Sequence, residues 1–255
     1  MGYYKVTLAH AVCNELGKKN GGKPGDQTQN TDNTKGELRF QDWYVSGDSW
    51  DCVLRCKDKA LRTPIAQNAI SAVRNRHIGY SQEHRYTLYD KSKPFFFDAS
   101  KVTTDVECDC SSLATVCARY AGITIPKETY TGDMEKVYTK YGFKSYSSKR
   151  YVLSSDKLVV GDILVRAGAH TAIVANTLYH MTRELYYVKG SMQVGGDVAA
   201  LQYRLNEIIG AGLKVDGELG PKSAQAIRDF QVFAMLSPDG IAGRDTLTAA
   251  GFLYH

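Results

Sequence analysis

A cysteine and a histidine, sixty residues apart, are the side chains of this sequence that could do chemistry together. Cys110 stands in the tetrapeptide DCSS, just ahead of apolar residues at helical spacing, and His170 opens the strand-like run HTAIV. Backbone amides at the start of a helix favour a thiolate, and an imidazole can accept the thiol proton. The pair predicts covalent catalysis, with Cys110 as the nucleophile and His170 as the base.

The segment from Asp109 to Gly122 is the predicted helix that must position this thiol. Its apolar residues recur from Leu113 to Tyr120 at intervals of three and four, Asp109 is a typical N-cap and Gly122 is a typical stop. Cys110 begins the inward-facing stripe in the first turn, where it meets both the helix dipole and a cleft at the helix mouth. We therefore expect its pKa to be lowered.

The polar neighbours of Cys110 are candidate substrate-binding residues: Asp109, Ser111 and Ser112. The alternative for Asp109 is a helix cap that takes no part in the chemistry. The alternative for the two serines is local hydrogen bonding in the first turn of the helix.

Short strands are predicted on either side of His170. Residues 162–166, 171–176 and 185–188 are rich in β-branched and apolar side chains and are separated by a Gly-Ala pair and a polar turn. A helix that bears the thiol, packed on an antiparallel sheet that bears the histidine, predicts an α+β fold of the papain-like type.

The region upstream of the thiol is predicted to contain an opening helix over residues 5–20, a strand over 37–48 and mostly helix over 49–73. Residues 80–97 are rich in Tyr and Phe, which indicates either core packing or a wall of a substrate cleft.

The net charge of +5 is unevenly distributed. The segment 195–255 carries five basic and seven acidic side chains, which leaves +7 on the remaining 194 residues. A basic domain favours an anionic partner such as a nucleic acid, a membrane surface or a bacterial cell wall. The sequence has no Lys/Arg block with interleaved aromatic residues and no run of about 18 apolar residues, so we expect neither nucleic-acid binding nor membrane insertion.

The six cysteines could hold a metal or remain as thiols. Cys52 with Cys56, and Cys108 with Cys110, could be read as zinc ligands, but neither pair has the usual C-x2-C spacing and no pair of histidines follows. We expect reduced, partly buried thiols and no metal site.

A weak match to a calcium loop runs from Asp26 to Glu37, with Thr31 at the position that requires glycine. A solvated loop is the preferred interpretation, so no cofactor is predicted apart from this weak possibility of calcium.

The C-terminal segment contains a short internal repeat. Residues 215–223 (VDGELGPKS) and 238–246 (PDGIAGRDT) share Asp, Gly, Gly and Ser/Thr at a spacing of 23. An Asp-Gly turn that leads into a helix start is thus used twice. We predict a hydrolase domain over residues 1–190 and a separate, smaller domain over 195–255.

Residues 195–255 resemble the three-helix peptidoglycan-binding domain. The residues that carry this resemblance are Leu201-Gln202, Asp216-Gly217, Gly220-Pro221, Ala226, Phe230-Gln231, Asp239-Gly240 and Gly243. The resemblance implies a module that docks to cell-wall glycan or stem peptide, with Asp216 and Asp239 as candidate substrate-binding residues.

Residues 108–192 resemble the NlpC-type cell-wall cysteine peptidases. The matching motifs are DCSS, TYTGDM at 129–134, Gly161-Asp162 and HTA at 170–172, with DCSS in place of the family's usual DCSG. The wider layout is similar to that of bacteriophage endolysins. The related CHAP amidases share the Cys/His arrangement, so the resemblance leaves open which bond is cleaved.

The NlpC-type pattern also implies a third, orienting polar residue on the strand that follows the strand of His170. His180 fits by position, although about two residues early, and Asn176 and Glu184 are the alternatives. The other histidines lack a comparable context and are not expected to be catalytic: His10, His77, His84 and His255.

Together the resemblances imply an endolysin, a peptidoglycan hydrolase that cleaves amide bonds in the stem or cross-bridge peptide through a Cys/His thioester mechanism. The alternatives are a CHAP-like N-acetylmuramoyl-L-alanine amidase, a non-catalytic wall-binding protein and an acyltransferase or transpeptidase of the same fold. Bacterial peptidoglycan is the expected partner, and the oligomeric state is left open. The N-terminus lacks an apolar signal core, so we expect synthesis in the cytoplasm without a signal peptide and action on the bacterial wall.

Overall fold

The computed structural model describes residues 3–45 and 50–254, and of residues 3–5, 177–180 and 253–254 it describes the backbone. The structure is mixed α+β. Its strands are β1 (Tyr3–Ala11), β2 (Leu38–Asp42), β3 (Cys52–Cys56), β4 (Ile78–Tyr80), β5 (Val106–Cys108), β6 (Phe143–Tyr146), β7 (Ile163–Arg166), β8 (His170–Met181), β9 (Gln193–Val194), β10 (Glu218–Leu219) and β11 (Leu253–Tyr254). Its helices are α1 (Arg62–Arg74), α2 (Thr87–Ser92), α3 (Cys110–Tyr120), α4 (Met134–Lys140), α5 (Lys149–Val152), α6 (Gly196–Ile209), α7 (Pro221–Phe233) and α8 (Arg244–Ala249).

The chain divides into two compact units. One is Val6–Thr177, and the other combines Met1–Lys5 with Leu178–His255. Residues 178–190 thus belong to the smaller unit by their contacts, whereas the sequence analysis assigned them to the hydrolase domain. The functional domains 1–190 and 195–255 stay predictions.

The sheet of the larger unit has the strand order β2-β1-β8-β7-β3-β6. The pairs β1–β2, β7–β8, β3–β7 and β3–β6 are antiparallel. The strand that begins with His170 therefore lies between β1 and β7.

The helix α3 packs into the core of the larger unit and against α1. Leu113 and Val116 of α3 share that core with Leu54 of β3 and Ile173 of β8, and all four are at most 1 % exposed. This burial follows from the spacing of three and four residues, which places the apolar side chains on one helix face.

The end of α3 is set by a glycine, as the sequence predicts. Gly122 has φ +85°, and the N–H groups of Gly122 and Ile123 donate to the carbonyls of Arg119 and Ala118, both at 2.9 Å. These two bonds form a Schellman motif, which closes the last turn of a helix. The helix predicted over 109–122 is confirmed.

Three predicted segments differ from the structure. Residues 5–20 form the end of β1 and a loop in place of a helix, and residues 49–73 divide into β3 and α1. Residues 185–188 make only isolated bridges, Leu185 with Ala242 and Val188 with Ser191. The predictions for residues 5–20 and 49–73 failed for the same reason. Their apolar spacing fits neither a helix nor a strand clearly, and pairing with distant strands decides their structure.

Gly161 and Asp162 anchor the strand pair that carries His170. Gly161 has φ +83°, and a side chain there would begin 2.1 Å from the carbonyl oxygen of Arg62. The buried Asp162 carboxylate accepts hydrogen bonds from Arg55 Nε (2.7 Å) and Arg55 Nη2 (2.6 Å), and from the Val159 N–H (2.9 Å). The Gly-Asp motif therefore has a structural reason at this position, namely the tight turn into β7.

The smaller unit has a core of its own. Side chains of α6, α7 and α8 meet there, and the fully buried members include Leu205, Ile227 and Leu247. The strand β11 pairs in parallel with the end of β8, where Leu253 is the partner of His180.

A buried glutamine organises the first copy of the internal repeat. Gln202 Nε2 donates to Asp216 Oδ1 at 3.0 Å and to Ser223 Oγ at 3.2 Å, and Gln202 Oε1 accepts from the Gly217 N–H at 2.9 Å. One side chain thereby joins the Asp-Gly turn to the start of α7.

The second copy repeats this arrangement. Gln231 Nε2 donates to Asp239 Oδ1 at 2.7 Å and to Thr246 Oγ1 at 3.0 Å, and Gln231 Oε1 accepts from the Gly240 N–H at 2.9 Å. The repeat read from the sequence is therefore also a repeat in three dimensions. Asp216 and Asp239 each use Oδ1 to hold a turn, and their contact with substrate stays a prediction.

Within the described ranges, every helix is too short or too polar to cross a lipid bilayer.

Candidate functional site

Cys110 is the first residue of α3, and its side chain is buried, with 6 % of its surface exposed. A capping box holds the helix start: the Asp109 carboxylate accepts from the Ser112 N–H (2.7 Å), and Ser112 Oγ accepts from the Asp109 N–H (2.9 Å). A cap of this type stabilises a helix by about 1 kcal/mol. The backbone around the thiol is therefore held in place from both sides of the first turn.

Arg85 fixes the same helix start from outside. Its guanidinium lies 3.0 Å from Asp109 Oδ2 and donates to Ser111 Oγ (3.1 Å) and to the Thr129 carbonyl (2.9 Å). Asp109, Ser111 and Ser112 are all buried, and their polar groups are engaged in this network. Here they support the position of Cys110, and their role in substrate binding stays a prediction.

His170 is the first residue of β8 and stands opposite Arg166 of β7. The backbone N–H of Thr171, the next residue, acts on the Cys110 thiol by lowering its pKa. This influence relates the thiol to the beginning of the strand that starts with His170, and the pairing of Cys110 with His170 in catalysis stays a prediction.

His10 is the histidine that the sequence analysis set aside and that the structure places in the site. Its Nδ1 lies 2.8 Å from His170 Nε2, and the ring centroids are 5.0 Å apart at an interplanar angle of 62°. His10 is on β1 and only 2 % exposed. One signal could have found it: Val6, Leu8 and His10 alternate with Lys5 and Thr7, which is a strand pattern.

The described contacts of His170 include none of the three residues that were predicted to orient it. His180 lies ten residues further along β8, and its side chain is outside the described part of the chain. Asn176 is an exposed residue of β8, and Glu184 lies in the smaller unit beside Gly243.

Burial keeps both imidazoles of the site neutral. It lowers the pKa of His170 to about 4, and the positive charges of Lys19, Arg39 and Arg166 add to this effect. It lowers the pKa of His10 to about 3, and the neighbouring His170 ring and Arg39 act in the same direction. At pH 7 both rings can accept a proton but do not carry an extra one.

The Cys110 thiol is also neutral in the resting site. Burial raises its pKa to about 11, and the negative charge of Asp109 adds to the rise, while the Thr171 N–H, Lys19 and the Ser111 N–H act against it. The predicted lowering of this pKa is therefore wrong. The amides at the helix start do favour a thiolate, but removal from water and the adjacent cap carboxylate outweigh them.

Two aromatic side chains line the histidines. The Trp50 ring centroid is 6.1 Å from that of His170, and the Tyr44 centroid is 6.4 Å from that of His10. Trp50 Nε1 donates to the Tyr44 carbonyl at 3.1 Å, which joins the two residues. They shield the imidazole pair from water and so contribute to its low pKa values.

All six cysteines are free thiols, five of them buried and Cys13 partly exposed. In the described part of the chain, no three His, Cys, Asp or Glu side chains are grouped as a metal ion would require.

Asp26 and Glu37, at the two ends of the segment that weakly matches a calcium loop, accept hydrogen bonds from backbone N–H groups. Asp26 accepts from the N–H groups of Thr28 and Glu37, both at 2.9 Å. Glu37 accepts from the N–H groups of Gln27 (3.1 Å) and Tyr80 (2.8 Å), and burial raises its pKa to about 7. The bonds tie the loop to itself and to β4, and calcium at this loop stays an untested expectation.

Two family models match the chain. The chain is a member of the endolysin-like domain family, whose model matches residues 8–178. A second family model, the peptidoglycan binding domain, matches residues 194–250. The two matches together support an endolysin-type cell-wall protein with peptidoglycan as its partner. Neither a curated protein nor a solved structure matches the chain significantly.

Proposed function

We propose that this protein is a peptidoglycan hydrolase that cleaves an amide bond in the peptide part of the wall through Cys110, His170 and His10. The observation that carries the proposal is the 2.8 Å contact between His170 and His10, at the start of the strand whose Thr171 backbone also acts on the Cys110 thiol. The resemblance of the DCSS and HTA motifs to NlpC-type cysteine peptidases supports the same chemistry. Lysis of a host wall in the manner of a bacteriophage lysin is the role that we infer.

His10 takes the orienting role that the sequence analysis gave to His180. Because Nε2 of His170 is bonded to His10, Nδ1 is the ring atom left to receive the thiol proton. This requires that His170 Nε2–H donates to His10 Nδ1 and that His10 carries its own proton on Nε2. Among the described residues, no group lies within hydrogen-bond distance of His10 Nε2. The side chain of Gln41 is close enough to raise the pKa of His10. We therefore assign the Gln41 amide oxygen as the acceptor for His10 Nε2–H during the reaction.

The reaction runs through a thioester. Cys110 Sγ attacks the carbonyl carbon of the amide while His170 takes the thiol proton. The C–N bond of the tetrahedral intermediate then breaks, and the imidazolium gives its proton to the leaving amine. His170 next takes a proton from water, whose oxygen attacks the thioester carbonyl. The C–S bond breaks, the acid product leaves and the thiol regains its proton.

The start of α3 supplies the oxyanion site in this mechanism. The first amides of a helix have no partner within the helix, so the N–H of Cys110 is available to the oxygen of the tetrahedral intermediate. One such donor typically contributes about 2.7–4 kcal/mol to lowering the barrier. Because burial raises the pKa of the Cys110 thiol, the mechanism needs a base to take its proton, and we assign this role to His170.

The smaller unit retains the enzyme on the wall in this proposal. Its match to the peptidoglycan binding domain family covers residues 194–250, and its two glutamine-held turns give it a fixed surface. Retention raises the local concentration of wall peptide at the catalytic site, as linked binding modules do in general.

The test compares the wild-type protein with Cys110→Ala on purified bacterial walls. We expect the wild type to clear the turbid suspension and the variant to leave it turbid while both proteins sediment with the walls. Mass spectrometry of the released fragments then identifies the bond, because a stem or cross-bridge cut and release of L-alanine from muramic acid expose different amines.

Two outcomes would contradict the proposal. Equal clearing by wild type and Cys110→Ala would exclude the thiol as nucleophile. Sedimentation of both proteins without any clearing would favour the non-catalytic wall-binding alternative.

A further inference from the structure

The loop that follows α2 exposes aromatic side chains to solvent. It contains the run Pro-Phe-Phe-Phe, and we call residues 93–98 the aromatic loop. Phe96 is 86 % exposed and Phe95 is 48 % exposed. Phe97 is partly buried and packs on the Tyr89 ring, with the two centroids 4.9 Å apart. The loop therefore anchors one phenylalanine in the protein and presents two to solvent.

The backbone of the aromatic loop is held in an unfavourable conformation. Phe96 and Phe97 have φ +56° and +66°, in the left-handed region that bulky side chains rarely adopt. The Phe97 N–H donates to the Ser92 carbonyl at 2.9 Å. The buried Asn68 side chain donates to the Phe97 carbonyl and accepts from the Ala99 N–H, both at 2.9 Å. These bonds hold Phe96 outward, and backbone strain that the surrounding contacts maintain is typical of functional sites.

Exposed lysines flank the aromatic loop along the chain on both sides. They are Lys91, Lys93 and Lys101. The Phe96 N–H donates to the Lys93 carbonyl at 3.1 Å, so the most exposed ring and this lysine belong to one turn. Among the residues that the structure describes, no carboxylate lies at ion-pair distance from any of the three lysines.

The two carboxylates of this segment have other partners. Asp90 pairs with Lys127 at 2.7 Å, and Asp98 accepts hydrogen bonds from the Ser100 N–H (2.9 Å) and Ser100 Oγ (2.6 Å). Together with Lys127, residues 90–101 carry four ammonium groups against two carboxylates, a net charge of +2. The exposed rings therefore lie in a segment of positive charge.

We propose that the aromatic loop docks on an anionic lipid surface. Phe95 and Phe96 would enter the boundary between headgroups and acyl chains, while the flanking lysines meet the lipid phosphates. Lysine stems can lie along apolar surface while their ammonium groups stay in water and are attracted by anionic headgroups. A phenylalanine ring has no hydrogen-bonding atom, which favours an apolar phase over a glycan.

This contact goes beyond the proposed hydrolase function and does not depend on Cys110. It is a surface contact through one loop, and it differs from the membrane insertion that the sequence analysis did not expect. A loop of this kind leaves no long apolar run in a sequence.

The test measures co-sedimentation of the full-length protein with two kinds of vesicle. One contains phosphatidylglycerol and phosphatidylcholine in equal parts, and the other contains phosphatidylcholine alone. We expect the wild type to prefer the anionic vesicles at low ionic strength and to bind less as salt is added, because salt screens the lysine charges. Lys93→Gln should lower the partition coefficient about 5-fold, which corresponds to about 1 kcal/mol per lysine at an anionic surface.

Phe96→Asn should lower the partition coefficient about 10-fold or more, because the burial of one phenylalanine ring is lost. Asparagine tolerates the left-handed region, so the variant should unfold in urea at no lower concentration than the wild type. Phe233→Asn is the matched control. It removes a ring that is 63 % exposed at the end of α7, in the smaller unit, and should keep the wild-type vesicle binding.

Three outcomes would overturn the docking surface and leave the hydrolase function intact. The first is absence of vesicle binding by the wild type, and the second is equal binding by the wild type, Phe96→Asn and Lys93→Gln. The third is a Phe96→Asn variant that loses sedimentation with lipid-free walls but keeps its vesicle binding, which would assign the loop to wall glycan. Lys93→Gln, at an exposed position, keeps the test decisive if Phe96→Asn does not fold.

Discussion

His10 is the residue whose position changes the proposed mechanism most, because it contacts the proposed base His170. Its ring is buried between Tyr44 and His170 and lies 2.8 Å from the imidazole of His170, the proposed base. An imidazole in this place orients its partner and holds one tautomer, as second partners of catalytic histidines do in general. It touches neither the thiol nor the substrate in the proposed mechanism, so it is a positioning residue.

Replacing His10 should therefore lower kcat more than it changes KM. General-base catalysis contributes about 10²–10⁴-fold, and we expect His10→Ala to lose on the order of 10²-fold in kcat. His10→Gln, which retains polar atoms near the same place, should recover part of this loss. The measurement is kcat and KM on soluble wall fragments, with the acidic limb of the pH profile as the second readout. A change in KM alone, with an unmoved pH profile, would reduce His10 to a packing residue.

The reactivity of Cys110 should follow its raised pKa. Iodoacetamide attacks the thiolate, so alkylation of Cys110 should be slow at mildly acidic pH and should accelerate as the pH rises towards about 11. Cys13 is the natural comparison, because it is partly exposed while the other five cysteines are buried, and it should be labelled first. Labelled peptides can be counted by mass spectrometry across pH. Rapid and selective labelling of Cys110 at pH 6 would instead show a resting thiolate.

At the scale of elements, the start of α3 affects both the stability of the helix and the pKa of Cys110. The Asp109 carboxylate accepts the Ser112 N–H and also pairs with Arg85, so one side chain caps the helix and ties it to the segment before α2. The same carboxylate raises the pKa of Cys110. A stable helix start is thus obtained at the cost of a less acidic thiol.

Substitutions at Asp109 should separate the cap from the charge. Asp109→Ala removes the cap and should lower the free energy of unfolding by about 0.5–2 kcal/mol. Asp109→Asn keeps an oxygen for the Ser112 N–H and should lose less, while its missing charge lets the Cys110 pKa fall. Urea denaturation gives the first quantity and the pH dependence of alkylation the second. Equal destabilisation by the two variants would show that the ion pair with Arg85 contributes more to the stability than the helix cap does.

The prediction of elements succeeded where the signal was local. The α3 boundaries follow from Asp109, the apolar stripe and Gly122, because capping and helix-stop bonds involve neighbours in sequence. Residues 5–20 were assigned to a helix because their apolar spacing is mixed and their strand partners, Leu38–Asp42 of β2, lie far along the chain.

At the scale of the whole molecule, the described residues form two separate hydrophobic cores, one in each unit. The core of the larger unit includes Leu113 and supports the helix that bears Cys110, and the core of the smaller unit includes Leu205. Both side chains are at most 1 % exposed. A large-to-small substitution in one core is therefore expected to destabilise the unit that contains it.

Matched core variants should affect different properties. Leu113→Ala and Leu205→Ala should each destabilise their own unit by about 2–5 kcal/mol. Calorimetry should show two transitions, each lowered by one variant. Leu205→Ala should reduce sedimentation with walls but not cleavage of soluble fragments, and Leu113→Ala should do the reverse. A single transition that both variants shift equally would contradict two independent units.

The sequence by itself determined the parts of this protein that depend on near neighbours. These are the capped helix that carries Cys110, the strand that begins at His170 and the repeated Asp-Gly turns. Only the tertiary structure decided that His10, 160 residues from His170, becomes its partner, because strands β1 and β8 meet only in the folded sheet. It also decided the direction of the Cys110 pKa shift, since burial is a property of the whole packed chain and outweighs the local field of one helix start.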